Sequence, residues 1–159
     1  MKAPIYRCTY EPDDNGTLLV SCAAFPEVVT YGEDVPDAWH NALGAVEEAI
    51  AARMSDGRDI PAGTPMTASP GQNEFWVKLP QLSAQKVMLY NLLPQTGVTR
   101  AELARRLGWH REQVDRLFRL DHASKASQMD CAFQALGHEV EVAVRKRQDP
   151  PASMQRALS

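Results

Sequence analysis

Between residues 100 and 119 the apolar positions Leu103, Ala104, Leu107, Val114, Leu117 and Phe118 recur at helical spacing on either side of Gly108. This predicts two short helices joined by a tight turn, the spacing of a helix-turn-helix. Ala104 stands where such helices touch, Gly108 where the turn needs a residue tolerant of positive φ, and Val114 where the second helix packs back on the first. Arg105, Arg106, Arg111, Arg116 and Arg119 fall outside the apolar face. A helical hairpin with a solvated arginine face would explain the charges alone. The small residue, the glycine and the β-branched residue in register favour a unit shaped for the DNA major groove.

The pattern before this stretch is different. Residues 3–10 alternate, with Tyr6, Cys8 and Tyr10 on one side, and predict a strand. The turn sequence Asp13-Asp14-Asn15-Gly16 and a returning strand at 18–24 complete a hairpin. A third strand spans 28–31 and ends at Gly32. Asp34 is placed to cap a helix with Pro36 in its first turn, and Trp39, Leu43, Val46, Ile50 and Met54 then recur at helical spacing. Residues 55–72 carry three prolines and three glycines and predict an irregular connection. Alternation returns at 74–79.

Beyond Pro80 the period is helical. A leading helix over 84–93 is expected to stop at residues 94–97, and Thr99 with Glu102 predicts a capping box for the helix over 100–107. Further helices are expected over 111–120 and, capped by Ser124, over 126–136. Residues 139–144 alternate again, with Val140, Val142 and Val144 on one side. Such a strand is not stable alone, and a second copy of the chain is one available partner. The resulting expectation is an α+β protein: a β-β-β-α-β domain over 1–80, an all-α helix-turn-helix domain with a terminal strand over 81–145, and a loose tail over 146–159.

Charge supports this division. Residues 1–80 carry five Lys or Arg against twelve Asp or Glu, net −7, whereas residues 81–159 carry twelve against eight, net +4. Two halves of opposite sign imply two different partners. Cys8, Cys22 and Cys131 lack CxxC spacing and the four histidines are scattered, so unpaired thiols in a reducing cytoplasm are expected and no metal site or cofactor is. No apolar signal core and no run of about eighteen apolar residues is present, which points to a soluble protein away from membranes.

Arg111, Glu112, Gln113 and Arg116 would face outward from the second helix of the hairpin. Arg bridges guanine O6 and N7, Gln pairs with adenine, and Glu accepts from the cytosine amino group; these four are the candidate base readers. Glu112 could equally pair with Arg116 along the helix. Arg105, Arg119 and Lys125 are the phosphate candidates, and Trp109 serves as a lid on the core or as a backbone contact. A metal nuclease built on Asp13, Asp14, Glu27, Glu33, Asp34 and Asp37 is the enzymatic alternative. Turn and capping roles suffice for Asp13, Asp14, Asp34 and Asp37, so a non-enzymatic acidic docking surface is the better reading.

The run Cys22-Ala23-Ala24-Phe25-Pro26-Glu27, then Thr30-Tyr31-Gly32-Glu33 before an alanine-rich helix, resembles the HicB antitoxin domain. Leu103 through Gly108, with Gln113-Val114, Arg116-Leu117-Phe118, Ser124-Lys125 and Ala135-Leu136-Gly137, is similar to the HicB branch that carries a helix-turn-helix. The resemblance covers residues 3–144. It implies a partial RNase H-like first domain that binds a HicA-type toxin, a small basic mRNA-cleaving ribonuclease whose catalytic histidine the antitoxin covers. Acidic Glu27, Glu33, Asp34 and Asp37 are the candidate toxin contacts. It implies further that the second domain binds operator DNA of its own operon as a homodimer or higher even oligomer. The alternative is a ligand-sensing or phage-like repressor without a toxin partner.

Overall fold

The computed structural model describes residues 1–65 and 70–146. Its elements are β1 (Ile5–Pro12), β2 (Leu18–Cys22), β3 (Phe25–Gly32), α1 (Val35–Ser55), β4 (Glu74–Lys78), α2 (Gln81–Thr96), α3 (Arg100–Leu107), α4 (Arg111–Arg116) and α5 (Ala126–Ala135). The chain is therefore α+β, with the strands and first helix in the expected order. It divides into two compact units, one formed by 4–50 and 61–79 and the other by 1–3, 51–60 and 80–143.

The first unit is a four-stranded antiparallel sheet in the order β3-β2-β1-β4. Strand alternation sorts its side chains. Tyr6, Cys8, Val20, Cys22, Val28, Phe75 and Val77 are buried on one face together with Ala38, Ala42, Val46 and Ile50 of α1. Helix and sheet are fastened at their polar edges: Trp39 Nε1 donates to the Trp76 carbonyl at 3.0 Å, and Asn41 Nδ2 to the Tyr31 carbonyl at 2.8 Å. The Tyr6 and Phe25 rings meet edge to face with centroids 4.8 Å apart. The opposite face is open, and it carries Val29 and Tyr31 among the exposed large apolar side chains.

The second unit is helical, with a core of Val87, Leu89, Leu92, Leu103, Val114, Leu117, Phe118, Met129 and Phe133. It departs from expectation in five places. Helix α2 does not stop at Pro94 but runs to Thr96 before Gly97 takes φ 69°. Pro94 supplies no amide for the Tyr90 carbonyl, while Gln95 Nε2 and Thr96 Oγ1 donate to the Asn91 and Leu93 carbonyls of the last turn. Thr99 accepts from the Glu102 amide, yet the Glu102 carboxylate turns to Arg105 and Arg106, leaving half a capping box. Helix α4 ends at Arg116 rather than at residue 120. Ser124 does not cap α5; the Lys125 amide is satisfied by Gln128 Oε1 at 3.0 Å, while the buried Ser124 hydroxyl has no partner among the described residues.

The fifth departure is the terminal strand. Residues 139–144 form no strand, and Val142 and Val144 are 76% and 96% exposed. A lone segment has no ladder to join, so its alternation buries nothing within one chain. The tail expected over 146–159 lies, beyond Lys146, outside the described residues.

Candidate nucleic-acid interface and acidic surface

Helices α3 and α4 are joined by Gly108, Trp109 and His110. Gly108 adopts φ 67° at the end of α3, and the Trp109 amide donates back to the Ala104 carbonyl at 3.0 Å, closing the turn. Trp109 itself is half-buried. Helix α4 starts with the His110 amide donating to Gln113 Oε1 at 2.8 Å and buries Val114 against the core. Arg111, Glu112, Gln113 and Arg116 are exposed.

Ion pairs sort these side chains. Arg111 Nε lies 3.1 Å from Asp115 Oδ1, which Arg100 Nη1 also approaches at 3.2 Å. Desolvation alone would raise the Asp115 carboxyl, but hydrogen bonds from Arg111 and Arg100 hold it below the usual carboxylate range. Arg100 additionally stacks its guanidinium 4.4 Å from the Phe118 ring centre, so it braces α3 against α4. Gln113 has its carbonyl oxygen committed to the cap and offers Nε2. Glu112 makes no ion pair with Arg116; Arg116 makes none with any described residue.

The phosphate candidates divide in the same way. Hydrogen bonds from Arg105, at 2.6 and 2.7 Å, and from Arg106, at 3.2 Å, lower the half-buried Glu102 carboxyl to about 2. Arg106 also donates to the Ala135 carbonyl, tying α3 to the end of α5. Arg119 grips Asp121 through two bonds of 3.1 and 2.9 Å. Exposed Lys125 makes no ion pair among the described residues. Among the described residues, then, Arg116 and Lys125 have no carboxylate partner, whereas Arg105, Arg111 and Arg119 each have one in an exposed, weak pair.

One residue beneath this surface went unread in the sequence. Lys86 of α2 is fully buried, and its Nζ donates to the carbonyls of Arg116, Arg119 and His122 at 3.0, 2.7 and 2.7 Å. Burial lowers its pKa to about 8, with Asp121 opposing that shift and Arg119 adding to it. The available signal was its place: a single lysine between Ser83-Ala84 and Val87, inside the apolar phase of α2.

In the first unit, the acidic candidates fall at the β3–α1 junction. Asp34 Oδ1 accepts from the Asp37 amide at 2.9 Å, and Asp37 Oδ2 accepts from the Glu33 amide at 2.8 Å, a reciprocal cap on α1. Glu33 and Asp34 are exposed and Asp37 half-buried; Glu27 lies further back along β3, also exposed. The structure therefore clusters Glu33, Asp34 and Asp37 and leaves Glu27 apart. Exposed Val29 and Tyr31 lie between them on β3, an apolar pair that acidic patterning did not single out. Asp13 Oδ1 accepts from the Asp14 amide within its turn. Among the described residues no three His, Cys, Asp or Glu side chains gather into a metal-holding group, and no helix is long and apolar enough to cross a membrane.

The thiols are free. Cys8 and Cys22 are register partners across β1 and β2, buried within the sheet core, whereas Cys131 is exposed. The Cys8 thiol holds Cys22 down to about 7, and the same contact, with burial, pushes Cys8 upward.

An antiparallel sheet unit with an acidic helix junction, followed by a helical unit presenting arginines from a short exposed helix, defines a class of two-part α+β proteins. Residues 5–88 match the family described as "HicB_like antitoxin of bacterial toxin-antitoxin system". The chain is 39% identical over 132 residues to Antitoxin HicB of Pseudomonas fluorescens (strain Pf0-1), which covers 83% of this chain and 88% of that protein. It is 34% identical over 135 residues to Antitoxin HicB of Escherichia coli (strain K12), covering 85% and 95%. Antitoxin HicB 1 of Photorhabdus laumondii is 31% identical over 139 residues, 87% of this chain and 86% of that one. The chain belongs to the HicB-like antitoxin family.

Proposed function

We propose that this protein neutralises a cognate HicA-type, mRNA-cleaving toxin through its partial RNase H-like sheet domain and represses its own operon through a helix-turn-helix formed by α3 and α4. No catalytic group is assigned in this reading. The observation that supports the DNA half is that Arg111, Glu112, Gln113 and Arg116 of α4 are all exposed, as are Arg105, Arg119 and Lys125. Arg116 and Lys125 meet DNA first because they give up no partner. Arg111 follows by leaving Asp115, and Gln113 contributes through Nε2.

For the toxin half, Glu33, Asp34 and Asp37 rim the end of β3, with Glu27 further along the strand and Val29 and Tyr31 between. An apolar centre with an acidic rim suits a basic protein, whose approach such charges steer. Two copies of residues 139–144, each with Val140, Val142 and Val144 on one side, would pair as a two-stranded ribbon and join two α4 helices in a dimer. Half-sites about one DNA turn apart follow from that symmetry. The second reading is a ligand-sensing or phage-like repressor without a toxin partner; one depression, bounded by Thr9, Glu11, Ser21, Gln72 and Glu74, encloses about 230 Å³, below the volumes usual for small-molecule sites.

Two measurements test the proposal. Arg111→Ala combined with Arg116→Ala weakens binding to DNA taken from upstream of the gene; unchanged affinity rejects the assignment of α4. A small basic ribonuclease encoded beside this gene copurifies with the intact chain, and its activity on mRNA falls in the complex. A neighbour that neither binds nor loses activity rejects the toxin half.

A further inference from the structure

A six-residue helix is too short to hold its own geometry, and the chain beyond α4 continues to Lys125 in turns rather than helix. Three carbonyls in this region converge on one buried group. Lys86 Nζ takes the Arg116 carbonyl at the end of α4 and the Arg119 and His122 carbonyls beyond it, at 3.0, 2.7 and 2.7 Å. A lysine ammonium has three N–H donors, so donor and acceptor numbers match. Its positive charge also lies at the helix end where backbone dipoles converge negatively. With no exposure to solvent, Lys86 cannot itself touch a phosphate.

Resting on the DNA-binding reading above, the structure assigns to Lys86 the role of a positioning residue: it anchors the C-terminal end of α4 and the following turns to α2. Two of the carbonyls it holds belong to Arg116 and Arg119, the residues whose guanidinium groups face outward. Fixing their backbones fixes where those groups meet the DNA. A misplaced base-reading side chain costs discrimination between sequences, whereas general attraction to phosphates depends on charge and survives small displacements.

The test compares two duplexes of equal length, one from the region immediately upstream of this gene and one of random sequence, with the full-length chain. Lys86→Met is expected to weaken binding to the upstream duplex about tenfold while changing affinity for the random duplex and the salt dependence by less than about twofold. Amide exchange at residues 116–124 should quicken in the variant while that of β1 and β2 is unchanged. If Lys86→Met loses its helical circular dichroism, Lys86→Gln, which retains a shorter donor, is read in the same way. A folded variant that discriminates the duplexes as the wild type does overturns the inference, as does equal weakening on both. A wild-type chain that fails to discriminate them overturns the DNA-binding reading itself and the inference with it.

Discussion

A methyl group on Gly32 would lie 2.2 Å from the Ala38 amide nitrogen, so the end of β3 and the first turn of α1 meet backbone to backbone. The approach leaves no room for a side chain, and the reciprocal cap between Asp34 and Asp37 holds the helix in this place. Gly32→Ala must push strand and helix apart at a point where both are anchored. The expected cost is about 3 kcal/mol, a drop in melting temperature of roughly 6–12 °C for a chain of this size. Thermal melting followed by circular dichroism checks it; a melting temperature within a degree of wild type would show that the junction is looser than the backbone contact implies.

The buried ammonium of Lys86 gives stability a defined dependence on pH. Its pKa falls from 10.5 in an exposed lysine to about 8 in the fold, chiefly through burial. The folded chain therefore binds fewer protons than the unfolded chain between those values, and stability rises with pH across that window. Below about pH 8 the cost of burying the charge is present in full; it is relieved as the pH rises through the folded pKa. Urea unfolding at about pH 7.5 and about pH 10 should show the wild type gaining on Lys86→Met by up to about 3 kcal/mol. A gap that stays constant or narrows in the wild type's disfavour contradicts this account.

Much of this molecule was legible in the sequence because its patterns are local. Alternation at Tyr6, Cys8 and Tyr10 placed β1, Asp34 placed the start of α1, and Gly108 placed the turn between α3 and α4. What escaped were relationships between positions distant in sequence or satisfied by backbone. Lys86 goes unread until the chain brings three carbonyls from 30 or more residues away to its ammonium. Pro94 reads as a helix stop because a proline supplies no amide to the helix, yet α2 continues to Thr96. The sequence separates base-reading Arg111 and Arg116 from phosphate-contacting Arg105 and Arg119, yet the carboxylate neighbours Glu102, Asp115 and Asp121 set Arg116 apart from the other three instead. Family membership rests on the match over residues 5–88 and on relatives 34–39% identical over most of the chain.

Residues 139–144 provide the last prediction, since their alternation is complete and two of their three valines are bare. Val142 is 76% and Val144 96% exposed in one chain, an arrangement that a second copy would relieve by pairing the segments. In a two-fold dimer each residue enters twice, so a substitution there is felt at two symmetric points. Val142→Lys removes an apolar cross-strand contact at each point and adds like charges to a two-stranded ribbon, where each pair is worth roughly 0.2–1 kcal/mol. The dimer dissociation constant should rise on the order of tenfold, visible by sedimentation equilibrium as a shift toward monomer at micromolar concentration. Glu141→Lys, on the other side of the same segment, adds twice as much positive charge, two units against one, without removing a valine. If it dissociates the dimer as much as Val142→Lys does, charge rather than the valine face controls association; if neither variant changes the mass distribution, the two chains join elsewhere.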